Sequence, residues 1–126
     1  MNIKLLEDDF SVGKMVDMND VDWTHEFVFA SKTDEECSLV CKTADMPKTA
    51  DPVEHGWRAM RVEGVLDFSL IGILATLAGC LAQAQISVFV VSTYNTDYIL
   101  VKKEQLNRAI EVLEENGHTI KKNEQE

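Results

Sequence analysis

Positive charge is scarce in this sequence: 12 lysines and arginines stand against 22 aspartates and glutamates in 126 residues, a formal net charge of −10. Nucleic-acid phosphate is bound by clustered Lys and Arg, so nucleic acid is not an expected partner. Anionic membrane surface is excluded on the same ground. Cysteine is also sparse. Cys37, Cys41 and Cys80 share no CxxC spacing, which excludes a disulfide framework and points to a reducing cytoplasm. The first residues lack the apolar core of a secretory signal. The longest apolar stretch, residues 70–84, falls short of the roughly 20 residues a membrane helix needs. There is no GxSxG, no P-loop and no GxGxxG. His25, His55 and His118 follow no metal-site spacing, so neither a metal, a cofactor nor a catalytic residue is expected.

What is present is an ordinary globular composition, 45% apolar and 27% charged. A chain of this length buries roughly two thirds of its unfolded surface and needs no staple to fold. The charge is uneven. Residues 1–54 hold 13 acidic and 5 basic side chains, and residues 55–126 hold 9 and 7. Pro52 and Gly56 punctuate the change, which places the boundary between units at 54/55. The second unit is expected over 55–122, with 123–126 as a tail.

The second half reads most clearly. Residues 57–63 alternate as a strand with Met60 and Val62 on one face. A loop over 64–68 leads to Ser69, whose hydroxyl suits a helix N-cap. Residues 70–84 form a helix that is apolar almost all round. Its exceptions, Ser69, Gly72, Thr76, Gly79 and Gln83, fall on one stripe at helical pitch. The stripe is either a solvent-facing strip or a face that another backbone approaches closely. Residues 86–93 are β-branched and suit a strand inside a sheet. A turn at 94–96 returns the chain as a strand over 97–102. Leu106, Ala109, Ile110 and Leu113 recur at helical spacing within 104–116, with Glu104 set to pair with Arg108 and Gly117 as a stop. Residues 118–121 close as a last strand. The order βαββαβ makes an α+β, ferredoxin-like unit: a four-stranded antiparallel sheet with its helices on one face.

The first half gives strands over 10–15, 27–32 and 38–42, a helical turn over 21–25, and a hairpin turn at 33–36. Cys37 and Cys41 lie four apart on one strand face and are expected buried and reduced, as is Cys80 in the apolar helix.

Chemistry, where it exists, concentrates at two places. Asp67 precedes a helix start, where it either caps the helix or meets a ligand, and the same start offers amides to a ligand carboxylate. Ser92, Thr93, Tyr94 and Asp97 cluster at the hairpin tip, either as turn formers or as polar ligand contacts. Together they would suit an amino acid.

At these residues the sequence resembles a known family. Trp57-Arg58, Arg61-Val62-Glu63-Gly64, Leu66 to Leu70 with Gly72, and Ser92-Thr93-Tyr94 with Thr96 to Val101 are similar to ACT-domain proteins related to the CASTOR arginine sensors. The similarity is strong over 56–117 and looser over 27–33 and 38–41. It implies two tandem ferredoxin-like ACT units, the first diverged, antiparallel sheets, and amino-acid binding at an interface between units. By analogy the ligand contacts are Glu63, Gly64, Leu66, Asp67, Thr93, Tyr94 and Asp97. The expected protein is a non-enzymatic, cytoplasmic homodimer that senses a small molecule. The competing reading is an oligomerisation or protein-interaction module without a ligand.

Overall fold

The computed structural model describes residues 1–63 and 72–122. The chain divides into two compact units. One is Asp8–Trp57; the other joins Met1–Glu7 to Arg58–Glu126. Two strands, β1 (Asn2–Met15) and β4 (Val53–Val62), each pass from one unit to the other along their length.

The Asp8–Trp57 unit holds β2 (Phe29–Lys32), β3 (Cys37–Lys42) and parts of β1 and β4, in hydrogen-bonded order β2-β3-β1-β4. Its two crossovers carry only single 3₁₀ turns, Met18–Asp20 and Thr43–Asp45. The helical turn expected over 21–25 is therefore displaced upstream. Asp17 caps the first 3₁₀ turn by accepting from the Asn19 amide at 2.9 Å. Asp22 accepts from both the Thr24 amide and its hydroxyl. Short polar side chains that bond the nearby backbone favour such turns over a helix. The core gathers Met15, Val21, Leu39, Cys41 and Ala50. Gly13 lies close beneath it: a Cβ there would stand 2.8 Å from Met46 Sδ and 3.2 Å from Ala50 Cβ, so the methionine would have to shift.

Cys37 and Cys41 both face this core, as their spacing predicts. Burial, with a lesser contribution from Asp45, pushes the Cys41 thiol up to about 11. A thiol so held is almost wholly un-ionised at pH 8, and the thiolate is the reactive form. Alkylation at pH 8 should modify Cys41 only when the protein unfolds. Peptide mapping that found it labelled as fast as Cys37 in the native protein would contradict this burial.

The other unit carries α1 (Ile73–Gln83), β5 (Val88–Ser92), β6 (Asp97–Lys102), α2 (Leu106–Glu115) and β7 (Thr119–Lys121). The βαββαβ order is present from β4 onward, and the fold is ferredoxin-like α+β. One pair departs from the antiparallel expectation. Asn2–Lys4 of β1 run parallel to Thr119–Lys121 of β7, giving the order β5-β6-β4-β1-β7. The first half of β1 thus lies between β4 and β7 and makes a fifth strand in this unit.

α1 begins after Gly72, whose φ of +86° is a left-handed conformation suited to glycine. The predicted cap Ser69 lies outside the described residues, as does the expected tail 123–126. Only Leu77 and Leu81 of α1 are fully buried. They meet Met60, Val62, Ile99 and Val101 from the sheet and Leu113 from α2 in one core. The predicted stripe of Gly72, Thr76, Gly79 and Gln83 is exposed. α2 shows the expected amphipathic face, with Leu106, Ala109, Val112 and Leu113 buried. A 3₁₀ turn at Lys103–Gln105 precedes it, and Arg108 stands 3.9 Å from Glu111.

The two hairpins match in register. Phe29 pairs with Val40 and Lys32 with Cys37; sixty residues later Phe89 pairs with Leu100 and Ser92 with Asp97. Thr33 donates its amide to Glu36 O at 2.8 Å, and Thr93 donates likewise to Thr96 O at 2.8 Å. A 3₁₀ turn follows each second strand directly.

Candidate functional site

The site is built where β4 ends and the β5–β6 hairpin turns. β-branched residues drive β5 and β6 into extended pairing, and the turn between them is closed by threonine. Thr93 Oγ1 donates to Thr96 O at 2.9 Å and accepts from the Thr96 amide at 3.3 Å. Thr96 is buried, 8% exposed, and its own hydroxyl donates to Val62 O at 2.6 Å. This bond latches the hairpin tip to the end of β4. The next residue, Glu63, donates its amide to Asn2 O at 2.8 Å, so the strand end is held by β1 as well.

The latch brings the end of β4, where Glu63 stands, to the tip that carries Thr93, Tyr94 and Asp97. The Glu63 carboxylate accepts from Arg61 Nε at 3.0 Å. A hydrogen bond with Tyr98, and then Glu63 itself, raise the Arg61 guanidinium further above its ordinary value. Glu63 is therefore already neutralised by a cation on its own strand. Among the described residues Asp97 forms no ion pair. Tyr94 is 95% exposed at the tip. The other predicted contacts, Gly64, Leu66 and Asp67, lie outside the described residues.

Arg61, Thr96 and Tyr98 stood within the quoted motifs yet were not named as contacts. Thr96 read as an ordinary turn residue, because its burial depends on β4, more than thirty residues upstream. The earlier hairpin gave no signal for it, since the position that matches Thr96 there is the exposed Glu36.

One serine–histidine contact occurs elsewhere. Ser11 Oγ lies 2.7 Å from His55 Nδ1 and 2.8 Å from Thr43 Oγ1. Ser11 is fully buried, so its hydroxyl meets no substrate and serves to join β1, β4 and the turn after β3. His25 stands 3.2 Å from Asp22 and 3.6 Å from Asp45. Among the described residues no three His, Cys, Asp or Glu side chains gather as a metal site. None of the described helices is long and apolar enough to cross a membrane.

The run from β4 to α2, with the hairpin latch inside it, coincides with a region that a family model of the ACT domain matches, residues 53–115. The chain belongs to the ACT-domain family. This is a regulatory domain type associated with amino-acid sensing. The chain is 44% identical over 59 residues to subunit 1 of the human cytosolic arginine sensor for mTORC1, and equally to that of cattle. The match covers 46% of this chain and 18% of those sensors, so the chain spans under a fifth of the length of the curated relatives it matches. Among solved structures, protein Atu0741 of Agrobacterium tumefaciens is similar over nearly the whole ACT protein. Its TM-score is 0.86 at 26% identity, covering 98% of this chain and 93% of that one. The ligand-free regulatory subunit of aspartate kinase from Thermus thermophilus shares the fold, with a TM-score of 0.63 at 8% identity over 90% and 95% of the two chains.

Proposed function

We propose that this protein is a non-enzymatic ACT regulatory protein that binds an amino acid at the end of β4 and the tip of the β5–β6 hairpin. The bond from Thr96 to Val62 O carries the reading, because it holds the strand end and the polar tip as one surface. In it, Asp97 takes the cationic group of the ligand, Thr93 and Tyr94 complete the tip, and Glu63, Gly64, Leu66 and Asp67 are the remaining contacts. The ligand carboxylate meets free backbone amides in the first turn of α1. A second ACT unit, supplied by a second copy, closes the site. The name of the arginine sensors makes arginine the first ligand to try.

The same reading treats residues 1–54 as a diverged ACT-like unit and 55–122 as the second. The matched hairpin registers and the strand order β2-β3-β1-β4 support it, with each helix of the first unit reduced to a 3₁₀ turn. The work of such a protein is done in the cytoplasm, by linkage between ligand and conformation.

A thermal-shift panel of the twenty natural amino acids tests the proposal. A true ligand at about 100 times its dissociation constant should add roughly 2.7 kcal/mol of stability. Asp97→Asn should weaken that ligand about tenfold or more, since a charge-assisted hydrogen bond is worth about 1.5–3 kcal/mol. No shift with any amino acid at millimolar concentration would sink the reading.

A further inference from the structure

Away from the hairpin tip, an open groove lies wholly within the Asp8–Trp57 unit. Its volume is about 480 Å³, within the range of small-molecule sites. β1 runs along its middle, with β3 on one side and β4 on the other. Lys14 stands opposite Ser38 of β3 and donates its amide to Pro52 O at 3.0 Å. A Cβ at Gly13 would meet Met46 and Ala50, so Val12 and Lys14 face away from that core. Val53 packs toward the core, and Glu54 after it turns to the side of Lys14. The apolar lining is Val12, Pro52 and Val53; Lys14, Glu36, Ser38 and Glu54 supply the polar groups.

Charge decides what this groove can take. The unit carries four lysines among twelve aspartates and glutamates, and no arginine. Lys14 nevertheless forms no ion pair among the described residues. Glu36 instead accepts from Ser38 Oγ at 3.2 Å, which fixes its carboxylate beside the strand opposite Lys14. One ammonium and two carboxylates therefore line a single groove with the opposite signs held apart. Adjacent strands lie about 4.8 Å apart, so Lys14 on the middle strand is about one such spacing from the strands that bring the carboxylates. An α-amino acid carries both of its charges on one carbon. The termini of a dipeptide stand further apart, since successive Cα atoms are about 3.8 Å from each other. We infer that the groove binds a short zwitterionic peptide, with its carboxylate on Lys14, its ammonium at Glu36 and an apolar side chain over Val12 and Pro52. This site is separate from the proposed amino-acid site and stands whether or not that one is filled.

Titration of the full chain with glycyl-leucine, followed by amide NMR shifts, tests it. Saturable shifts are expected at Val12, Lys14 and Ser38. Free leucine, N-acetyl-glycyl-leucine and glycyl-leucine amide should each bind there about tenfold or more weakly, because each removes or misplaces one charge-assisted contact. Lys14→Gln and Glu36→Gln should weaken glycyl-leucine to a similar degree. Both side chains are exposed, so the circular dichroism spectrum should stay unchanged, which keeps the test clear of misfolding. Asp97→Asn should leave this titration unaltered while weakening an amino-acid ligand at the hairpin, which tells the two sites apart. No saturable shift at these residues in tens of millimolar peptide overturns the inference. So does amidated peptide or free leucine that binds there as tightly as glycyl-leucine, or a folded Lys14→Gln that binds the peptide unchanged.

Discussion

Replacing Leu81 by alanine should cost about 3 kcal/mol of stability, within the roughly 2–5 kcal/mol range for emptying a buried leucine site. α1 has only two fully buried residues, Leu77 and Leu81, and both are 0% exposed. The helix is apolar on its other faces as well, so its composition does not reveal which leucines hold it. Leu81 sits in the core formed with Met60, Val62, Ile99 and Leu113, with little room for collapse around the lost atoms. It also closes the helix, since the Ile86 amide donates to Leu81 O at 2.9 Å. In a chain of this size the loss should lower the melting temperature by about 10 °C or more. A change at exposed Ala82 should stay within about 0.5 kcal/mol. Urea titration of Leu81→Ala decides the matter: a loss below 1 kcal/mol would mean that α1 does not depend on this anchor.

Thr96→Val should produce the second largest loss. Valine keeps the shape and removes the hydroxyl that reaches Val62 O at 2.6 Å. The carbonyl then remains buried with its donor gone, which costs about 1–3 kcal/mol. The functional effect should exceed the stability effect, because the hairpin tip is no longer tied to the end of β4. Hydrogen exchange should quicken at residues 93–97 while α2 stays protected, and any amino-acid ligand should bind more weakly. Thr96→Ser retains the hydroxyl and should restore most of both. Equal loss in the serine and valine variants would show that the methyl group, not the hydrogen bond, holds the tip.

Local signals made much of the fold legible. β6 is legible to its ends because the 94–96 turn starts it and its apolar centre fixes its phase. α2 was legible because its apolar positions repeat at one pitch between a 3₁₀ turn and Gly117. The sequence marks β1 only from residue 10 onward, whereas the strand starts at Asn2. Leu5 and Leu6 are both buried and Glu7 and Asp8 both exposed, so strict alternation breaks at that point. The pairing of Asn2 with Thr119 left no trace, since nothing near either residue encodes a partner over a hundred positions away. At the candidate site, residue types pointed to Glu63, Thr93, Tyr94 and Asp97. They did not show that Arg61 already pairs with Glu63: i and i+2 on a strand share a face, but alternation alone does not say that the two side chains meet.

The parallel ladder between Asn2–Lys4 and Thr119–Lys121 has a consequence for how the protein comes into being. A ribosome releases β1 early and β7 late. Until β7 emerges, the first half of β1 has only β4 beside it, and one side of that strand stands open. The unit that carries α1 and α2 therefore cannot mature as it is synthesised; its sheet closes only after residue 121 is out. Contacts this distant along the chain are formed late and slowly, after the loop-closure entropy has been overcome. Chaperone engagement and premature association are most probable during that interval, when nascent β1 is exposed.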